Sequence, residues 1–236
     1  MIQEEGKMKV LITGAARGLG AALTEKFSSE GHMVLAAVRN CEKAEQLRKL
    51  AEERENVLPV VMDVESWPSI EKCAEEVRKK TDTLDLLINN AGVLFDKDRE
   101  TRLMQVDPEV LRRTLAVNVE GPILVTKAFY PFLEKSEHPR VYTITSESSI
   151  RGNWYGMPVY SLSKVAAGKA MGILSVSVGE KWQVLAVHPG RMDTDMGHQT
   201  AQILPETAAE GIYRMAEGKV RPQSWYVNYL GEEMEA

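Results

Sequence analysis

The first part of the chain joins a short apolar run to a glycine-rich turn and then to a stretch with helical periodicity. The run is Lys9–Thr13 (K-V-L-I-T), the turn follows as T-G-A-A-R-G-L-G, and the periodic stretch extends from Leu19 to Glu30, just before Gly31. A helix that starts directly after such a turn presents free backbone N–H groups and the positive end of its dipole. Because both attract phosphate, the pattern predicts a strand, a turn and a helix that bind a phosphate-bearing ligand.

Short β-type runs alternate with longer helical stretches over the rest of the chain. We expect further strands at Met33–Val38, Val57–Met62, Leu84–Asn89, Arg140–Thr145, Gln183–His188 and Trp225–Tyr229. We expect further helices near Glu42–Arg54, Ser69–Lys80, Pro108–Asn118, Gly121–Leu133 and Pro158–Val178. Strands that alternate with helices form a parallel sheet through right-handed crossovers. The sequence therefore predicts an α/β fold, a Rossmann-like doubly wound parallel β-sheet of about seven strands with helices on both faces.

The glycines of the first turn have the spacing of a dinucleotide-binding site. Gly14, Gly18 and Gly20 follow the pattern G-x-x-x-G-x-G, a variant of the commoner G-x-G-x-x-G fingerprint. At the end of the second strand, an acidic residue would bind a ribose 2′-hydroxyl, whereas a basic residue suits a 2′-phosphate. The chain has Arg39 there and Arg17 within the turn. We therefore expect NADP(H) as the cofactor, with NAD(H) as the alternative.

Composition limits the classes of protein to which the chain can belong. Hydrophobic residues make up 44% of its 236 residues and no linker or internal repeat divides it, so we expect residues 1–236 to form one NAD(P)-binding domain. The net charge of −5 is spread without a basic stripe, which argues against a nucleic-acid partner. The sequence shows neither a signal-peptide pattern nor an apolar stretch of the ~18 residues that cross a bilayer. Since Cys41 and Cys73 are too few for a disulfide framework, we expect a cytoplasmic protein with no membrane partner.

A tyrosine and a lysine in the second half of the chain indicate proton-transfer chemistry. Tyr160 and Lys164 lie four residues apart in Y-S-L-S-K, which places both side chains on one face of a helix. The pKa of an unperturbed phenol is about 10, and a nearby ammonium group lowers it. We predict that the pair exchanges a proton with a substrate oxygen. No His/Cys/carboxylate cluster in the sequence indicates a metal, and none is expected.

Seven short motifs follow one another along nearly the whole chain. They are T-G-A-A-R-G-L-G at Thr13–Gly20, D-V at Asp63–Val64, N-N-A-G at Asn89–Gly92, N-V-E-G at Asn118–Gly121, T-S-E-S-S at Thr145–Ser149, Y-S-L-S-K at Tyr160–Lys164 and P-G-R-M-D-T at Pro189–Thr194. In this order they resemble the short-chain dehydrogenase/reductase family, in its single-domain branch. The segment T-S-E-S-S and the closing V-N-Y-L-G-E-E are most similar to carbonyl reductases of the C-factor/sniffer type. The resemblance implies hydride transfer between NADP(H) and a small-molecule carbonyl or alcohol.

The resemblance also implies roles for individual residues. It implies that Tyr160 is the general acid/base, that Lys164 lowers its pKa and hydrogen-bonds the nicotinamide ribose, and that Asn118 holds a water in a proton relay. Asp63 is implied to accept from the adenine amino group, and Thr194 to fix the nicotinamide carboxamide. The implied cofactor contacts are Gly14, Arg17, Gly18, Leu19, Gly20, Arg39, Asp63, Val64, Asn90, Ala91, Gly92, Tyr160, Lys164, Pro189, Gly190 and Thr194.

The serine that would bind the substrate oxygen is a departure from the family pattern. The usual position, 13 residues before Tyr160, is occupied by Glu147, which we expect to be a surface acid. We predict Ser146 for the serine role because it ends the strand V-Y-T-I-T. Ser149 remains the alternative.

Two irregular stretches, Leu94–Asp107 and Arg191–Leu204, are expected to line the site, with the substrate-loop region 191–204 as a lid. Side chains predicted to ring the pocket, which favour an apolar or aromatic carbonyl, are Leu94, Phe95, Trp154, Tyr155, Met157 and Met192. The small residues of Val165–Gly172 allow close helix approach and favour a homodimer or homotetramer. Two other functions stay open: a dinucleotide-binding regulatory or signalling protein with little turnover, and an NAD-dependent alcohol dehydrogenase.

Overall fold

The computed structural model describes residues 6–99, 101–149, 156–194, 196–197 and 201–235. The strands are β1 (Lys9–Thr13), β2 (Met33–Val38), β3 (Val57–Val61), β4 (Leu86–Asn89), β5 (Arg140–Ile144), β6 (Gln183–His188) and β7 (Tyr226–Asn228). The helices are α1 (Gly18–Ser29), α2 (Glu45–Glu53), α3 (Trp67–Arg78), α4 (Pro108–Leu115), α5 (Gly121–Leu133), α6 (Pro158–Ser177) and α7 (Pro205–Ala216).

The seven strands form one parallel sheet in the order β3-β2-β1-β4-β5-β6-β7. Ile12 of β1 is in register with Ala36 of β2 on one side and with Ile88 of β4 on the other. The chain thus winds outwards through β2 and β3, returns to the centre and winds the other way from β4. Ligands bind in such sheets at the carboxyl ends of the strands, where this reversal opens a crevice. The predicted doubly wound α/β fold is confirmed.

Helices cover both faces of the sheet, and each face has its own apolar core. Strand residues that point to one face, such as Ile12 and Ile88, pack with α1, α2 and α7. Residues that point to the other face, such as Leu11 and Leu87, pack with α3, α5 and α6. Because consecutive residues of these strands are buried on opposite faces, the strands read as continuous apolar runs.

Helix α7 was not among the predicted elements, although its sequence carries helix signals. It begins at Pro205 with Glu206 in the first turn, and Arg214 lies in the last turn. Gly211 interrupts the pattern because glycine weakens a helix interior. The structure explains this glycine: a Cβ at that position would lie 2.2 Å from the backbone oxygen of Tyr229. Close packing of the chain after β7 therefore requires the residue that weakened the helical signal.

Helices α4 and α5 are joined without a break by a π-helical turn, Ala116–Glu120. Such turns insert one extra residue into a helix and often occur at functional sites. This turn contains the predicted site residue Asn118, which is buried.

The described residues contain no helix long and apolar enough to cross a membrane. The same residues include no group of three or more His, Cys, Asp or Glu side chains that could hold a metal ion. Cys41 and Cys73 are free thiols, and burial raises the pKa of Cys73 to about 12.

Candidate active site

A cleft of about 1060 Å³ opens at the carboxyl ends of the central strands. It brings together nearly all the predicted cofactor contacts, from positions spread over most of the chain. Those that line it are Gly14, Arg17, Gly18, Leu19, Gly20, Arg39, Asp63, Val64, Asn90, Ala91, Gly92, Tyr160, Lys164, Pro189 and Thr194. Gly190 is the exception; it turns the backbone at φ +83° and packs against Ile203.

The turn between β1 and α1 is built so that backbone faces the cleft. Gly14 and Gly18 have positive φ values of 68° and 53°, which side chains other than glycine rarely tolerate. A Cβ on Gly20 would lie 2.2 Å from the Gly14 carbonyl oxygen. The Asn90 amide donates to the carbonyl oxygens of Thr13 (2.8 Å) and Gly14 (3.2 Å) and so fixes the turn against the end of β4. The cradle fits a pyrophosphate at the start of α1.

The other end of the cleft carries the residues predicted to set cofactor preference. Arg17 and Arg39 are both exposed and line the same cleft. Helix α2 adds Gln46 and Lys49 to this wall, which the sequence reasoning did not identify because a polar exposed helix carries no ligand signature. Asp63 is held after β3, where its backbone N–H donates to Ser69 Oγ at 2.9 Å.

Helix α6 places Tyr160 and Lys164 one turn apart at the inner end of the cleft. Both side chains are buried, with 8% and 5% of their surface exposed. The Lys164 ammonium donates to the Ile144 carbonyl oxygen at 2.8 Å, and its nitrogen lies 5.6 Å from the centre of the Tyr160 ring. Ser146, two residues after β5, hydrogen-bonds the Tyr160 side chain. The side chain of the alternative, Ser149, lies outside the described part of the structure.

Burial dominates the proton affinities of this pair. It raises the pKa of Tyr160 to about 12, against smaller opposing effects from the Ser146 hydrogen bond and the charge of Arg99. Burial also lowers the pKa of Lys164 to about 8. Lys164 is not among the groups that lower the phenol pKa here; the lowering comes from Ser146 and Arg99. Because the pKa of Lys164 lies below that of Tyr160, the lysine has lost its charge at the pH where the phenol titrates, and its predicted effect on the phenol is confined to pH values below about 8.

Asn118 lies beside Lys164, and its side chain hydrogen-bonds three protein groups. Its Oδ1 accepts from the Val93 N–H at 2.8 Å, and its Nδ2 donates to the Val93 carbonyl oxygen and to Ser163 Oγ, each at 2.9 Å. A Cβ on Gly92 would lie 3.3 Å from the Lys164 nitrogen and 3.4 Å from Asn118 Oδ1. Because both Nδ2 hydrogens are used, the water predicted at Asn118 would have to bind one of its oxygens.

The substrate-loop region starts beside the cofactor cradle and is closed at its base. Thr194 Cγ2 would lie 3.3 Å from a Cβ on Gly18, so the loop crosses directly over the glycine turn. The Asp193 N–H donates to the Ile203 carbonyl oxygen at 3.0 Å. Met192 lines the cleft as predicted, whereas Phe95 packs under Arg113. The predicted pocket residues Trp154 and Tyr155 lie outside the described residues.

Glu147 is not the surface acid that its position suggested. Its side chain is 24% exposed and forms an ion pair with Arg191, which follows the Pro189–Gly190 turn. Its backbone N–H donates to Nδ1 of His188 at 3.1 Å. The carboxylate is close enough to raise the Tyr160 pKa, after burial as the main cause. The Glu147 carboxylate therefore lies near the phenol and is held in an ion pair with Arg191.

Comparison with known proteins agrees with this fold. Residues 8–203 match the family model described as short chain dehydrogenase. An uncharacterized oxidoreductase of Schizosaccharomyces pombe is 33% identical over 216 residues, which cover 90% of this chain and 84% of that protein. The chain belongs to the short-chain dehydrogenase/reductase family and is an oxidoreductase.

Two solved carbonyl reductases are similar over almost their full lengths. The NADPH-bound carbonyl reductase from chicken fatty liver is 25% identical with a TM-score of 0.87, covering 98% of this chain and 99% of that one. The carbonyl reductase Sniffer of D. melanogaster is 27% identical with a TM-score of 0.88, covering 98% and 100%.

Proposed function

We propose that this protein is an NADP(H)-dependent carbonyl reductase, which transfers a hydride between the nicotinamide and a small carbonyl or alcohol substrate. The observation that carries the proposal is the buried Tyr160 phenol, hydrogen-bonded by Ser146 and set at the inner end of the cleft that the glycine turn opens. A regulatory protein that only binds a dinucleotide has no need for a proton donor held in this way.

The bound cofactor supplies the hydride, and the protein supplies orientation and a proton. With its pKa raised to about 12 by burial, Tyr160 carries its proton at neutral pH and is ready to donate it. Ser146 offers a second hydroxyl towards the same point, where negative charge develops on a carbonyl oxygen during reduction. This protonation state favours reduction of a carbonyl over oxidation of an alcohol, because oxidation requires a phenolate to accept the proton.

NADP(H) is the proposed cofactor because the adenosine end of the cleft is basic. The wall carries the exposed arginines Arg17 and Arg39, and β2 ends in A-A-V-R-N, without a carboxylate for a ribose 2′-hydroxyl. Guanidinium groups bind phosphate in bidentate fashion and suit a 2′-phosphate. The similarity to a carbonyl reductase solved with NADPH supports the same choice.

The proposed activity is tested by mixing the protein and NADPH with aldehydes, ketones and quinones and following the loss of reduced-nicotinamide absorbance. We expect turnover of at least one class, and we expect Tyr160→Phe to abolish it while NADPH binding survives. Tight NADPH binding without turnover on a broad panel would favour the regulatory alternative. Substantial activity of Tyr160→Phe would contradict its role as the proton donor.

The cofactor preference is tested at Arg39. Arg39→Ala should weaken NADPH binding by about tenfold to a hundredfold, the value of a charge-assisted hydrogen bond, and leave NADH binding unchanged. Arg48→Ala is the matched control. Arg48 lies on α2 and is exposed, as Arg39 is, but it does not line the cleft. Equal effects of Arg39→Ala on both cofactors, measured by titration, would instead favour an NAD-dependent enzyme.

A further inference from the structure

A buried aspartate outside the predicted site contacts the backbone of the catalytic tyrosine. Asp98 ends the short 3₁₀ turn Asp96–Asp98 in the stretch after β4, and only 2% of its surface is exposed. Its Oδ2 accepts from the Tyr160 N–H at 2.8 Å, and its Oδ1 accepts from the Val159 N–H at 3.2 Å. The two residues that it contacts are 61 and 62 positions away along the chain.

These hydrogen bonds satisfy backbone N–H groups at the start of α6, for which the helix itself provides no side-chain partner. The helix starts at Pro158, which has no N–H, and the residue before it, Met157, supplies no side-chain cap. The next two backbone donors, on Val159 and Tyr160, are the ones that Asp98 accepts. In the described part of the chain, Asp98 forms no ion pair with a lysine, arginine or histidine. Its charge is therefore balanced by two amides and by the positive end of the α6 dipole.

The same short segment also holds the substrate loop. Arg99, next to Asp98, donates from Nη2 to the Met196 carbonyl oxygen at 2.8 Å. The Asp98 N–H donates to the Phe95 carbonyl oxygen at 2.9 Å, which fixes the segment's own backbone. Residues 98 and 99 thus bridge two parts of the site, the first turn of α6 and the substrate-loop region.

We propose that Asp98 is a positioning residue for the reduction, which fixes the main chain of Tyr160 so that the phenol stays against Ser146. Through its neighbour Arg99, the same segment aligns the substrate loop with the proton donor. The inference rests on the proposed reductase function. It assigns a functional role to the stretch after β4. No sequence motif indicates this role, because an aspartate between charged neighbours (D-K-D-R) is typical of a solvated surface.

The test compares Asp98→Asn with the unchanged enzyme and with Asp85→Asn. Asparagine has the same shape, but only one of its two polar atoms can accept, so one of the two amides loses its partner. We expect kcat to fall by about tenfold to a hundredfold, the usual effect of a misplaced catalytic group, with KM and NADPH affinity changed by less than about threefold. Asp85→Asn removes an acceptor from an aspartate that also accepts two hydrogen bonds, from the Lys9 N–H and Ser136 Oγ, at the opposite, amino end of the sheet. It should lower the melting temperature without changing kcat.

A second readout does not depend on turnover. Titration of the Tyr160 phenol by phenolate absorbance, with Tyr160→Phe as the blank, should give a lower midpoint in Asp98→Asn than in the unchanged protein, because burial raises the pKa of Tyr160 and a loosened first turn admits water. The midpoint should stay unchanged in Asp85→Asn. If Asp98→Asn does not fold, Asp98→Ser, which keeps one acceptor oxygen, replaces it in both measurements.

The outcomes separate this inference from the proposed function. If Asp98→Asn only lowers the melting temperature, with kcat and the phenol titration unchanged, Asp98 is a structural cap and the inference is wrong. If the unchanged protein reduces no carbonyl on the panel, the proposed function is wrong, and the phenol titration alone decides on Asp98: a shift confined to the Asp98 variant supports its positioning role, and no shift overturns it.

Discussion

At the scale of single residues, burial rather than pairing determines the chemistry of the proposed site. The helical spacing of Tyr160 and Lys164 correctly predicted two side chains on one face of α6. It did not predict that both would be almost fully buried, which raises the pKa of the phenol and lowers that of the ammonium group. Nor did it reveal that Lys164 would be directed at a backbone carbonyl. Sequence spacing shows which face of a helix a side chain lies on. Its burial depends on which other elements pack against that face.

The pH dependence of reduction should follow Lys164. Burial lowers its pKa to about 8, so its positive charge is present below that pH and lost as the pH rises through it. A positive charge near Tyr160 stabilises the phenolate that remains after proton donation, so kcat/KM for reduction should be highest below about 8 and decline above. The Lys164→Met variant should be slower and lack this decline. A flat profile in the unchanged enzyme, or the same decline in the variant, would contradict the assignment.

At the scale of elements, the strand, glycine turn and first helix were predictable because their signals are local. A buried apolar run, residues that permit positive φ and a helical periodicity each act within a few positions. Helix α7 was missed because Gly211, which the packing of Tyr229 requires, weakens its pattern. The Asp98 cap on α6 could not be predicted either, since it joins positions about sixty residues apart. A contact between two elements cannot be predicted from the sequence of either element alone.

The geometry of the glycine turn predicts that alanine is tolerated at Gly179 but not at Gly20. Gly20→Ala places a Cβ 2.2 Å from the Gly14 carbonyl oxygen, so the backbone of the turn must move. We expect a loss of about 1–3 kcal/mol in the free energy of unfolding, as for other overpacked sites, together with loss of NADPH binding. Gly179→Ala is the control, because a Cβ there meets nothing within 4 Å. Calorimetry and cofactor titration measure both, and unchanged NADPH affinity in Gly20→Ala would contradict the proposed cradle.

At the scale of the whole molecule, α6 links the site to the surface. Its inner side carries Tyr160 and Lys164, and its outer side exposes apolar side chains, among them Ile173 (57%) and Val176 (83%). Exposed apolar patches on soluble proteins often mark interaction surfaces. The predicted homodimer or homotetramer would therefore use this side of the helix.

A charge on the outer side of α6 should weaken that assembly. We expect Ile173→Asp to shift the protein towards monomers in analytical ultracentrifugation, because an aspartate buried in an interface loses its hydration. Val61→Asp, at a position similarly exposed (56%) on β3, is the control and should leave the assembly unchanged. A monomeric unchanged protein, or equal effects of the two variants, would contradict the prediction.

The sequence by itself determined the alternation of strands and helices apart from α7, the parallel sheet, the glycine turn and nearly all the predicted cofactor contacts that line the cleft. These depend on local periodicity and on short motifs whose geometry is set within one turn. Only the tertiary structure decided that Ser146 reaches Tyr160, that Glu147 is paired with Arg191, that burial sets the proton affinities and that Asp98 caps α6. Each of these depends on distances between segments far apart in the chain, which are fixed only when the helices pack on the sheet.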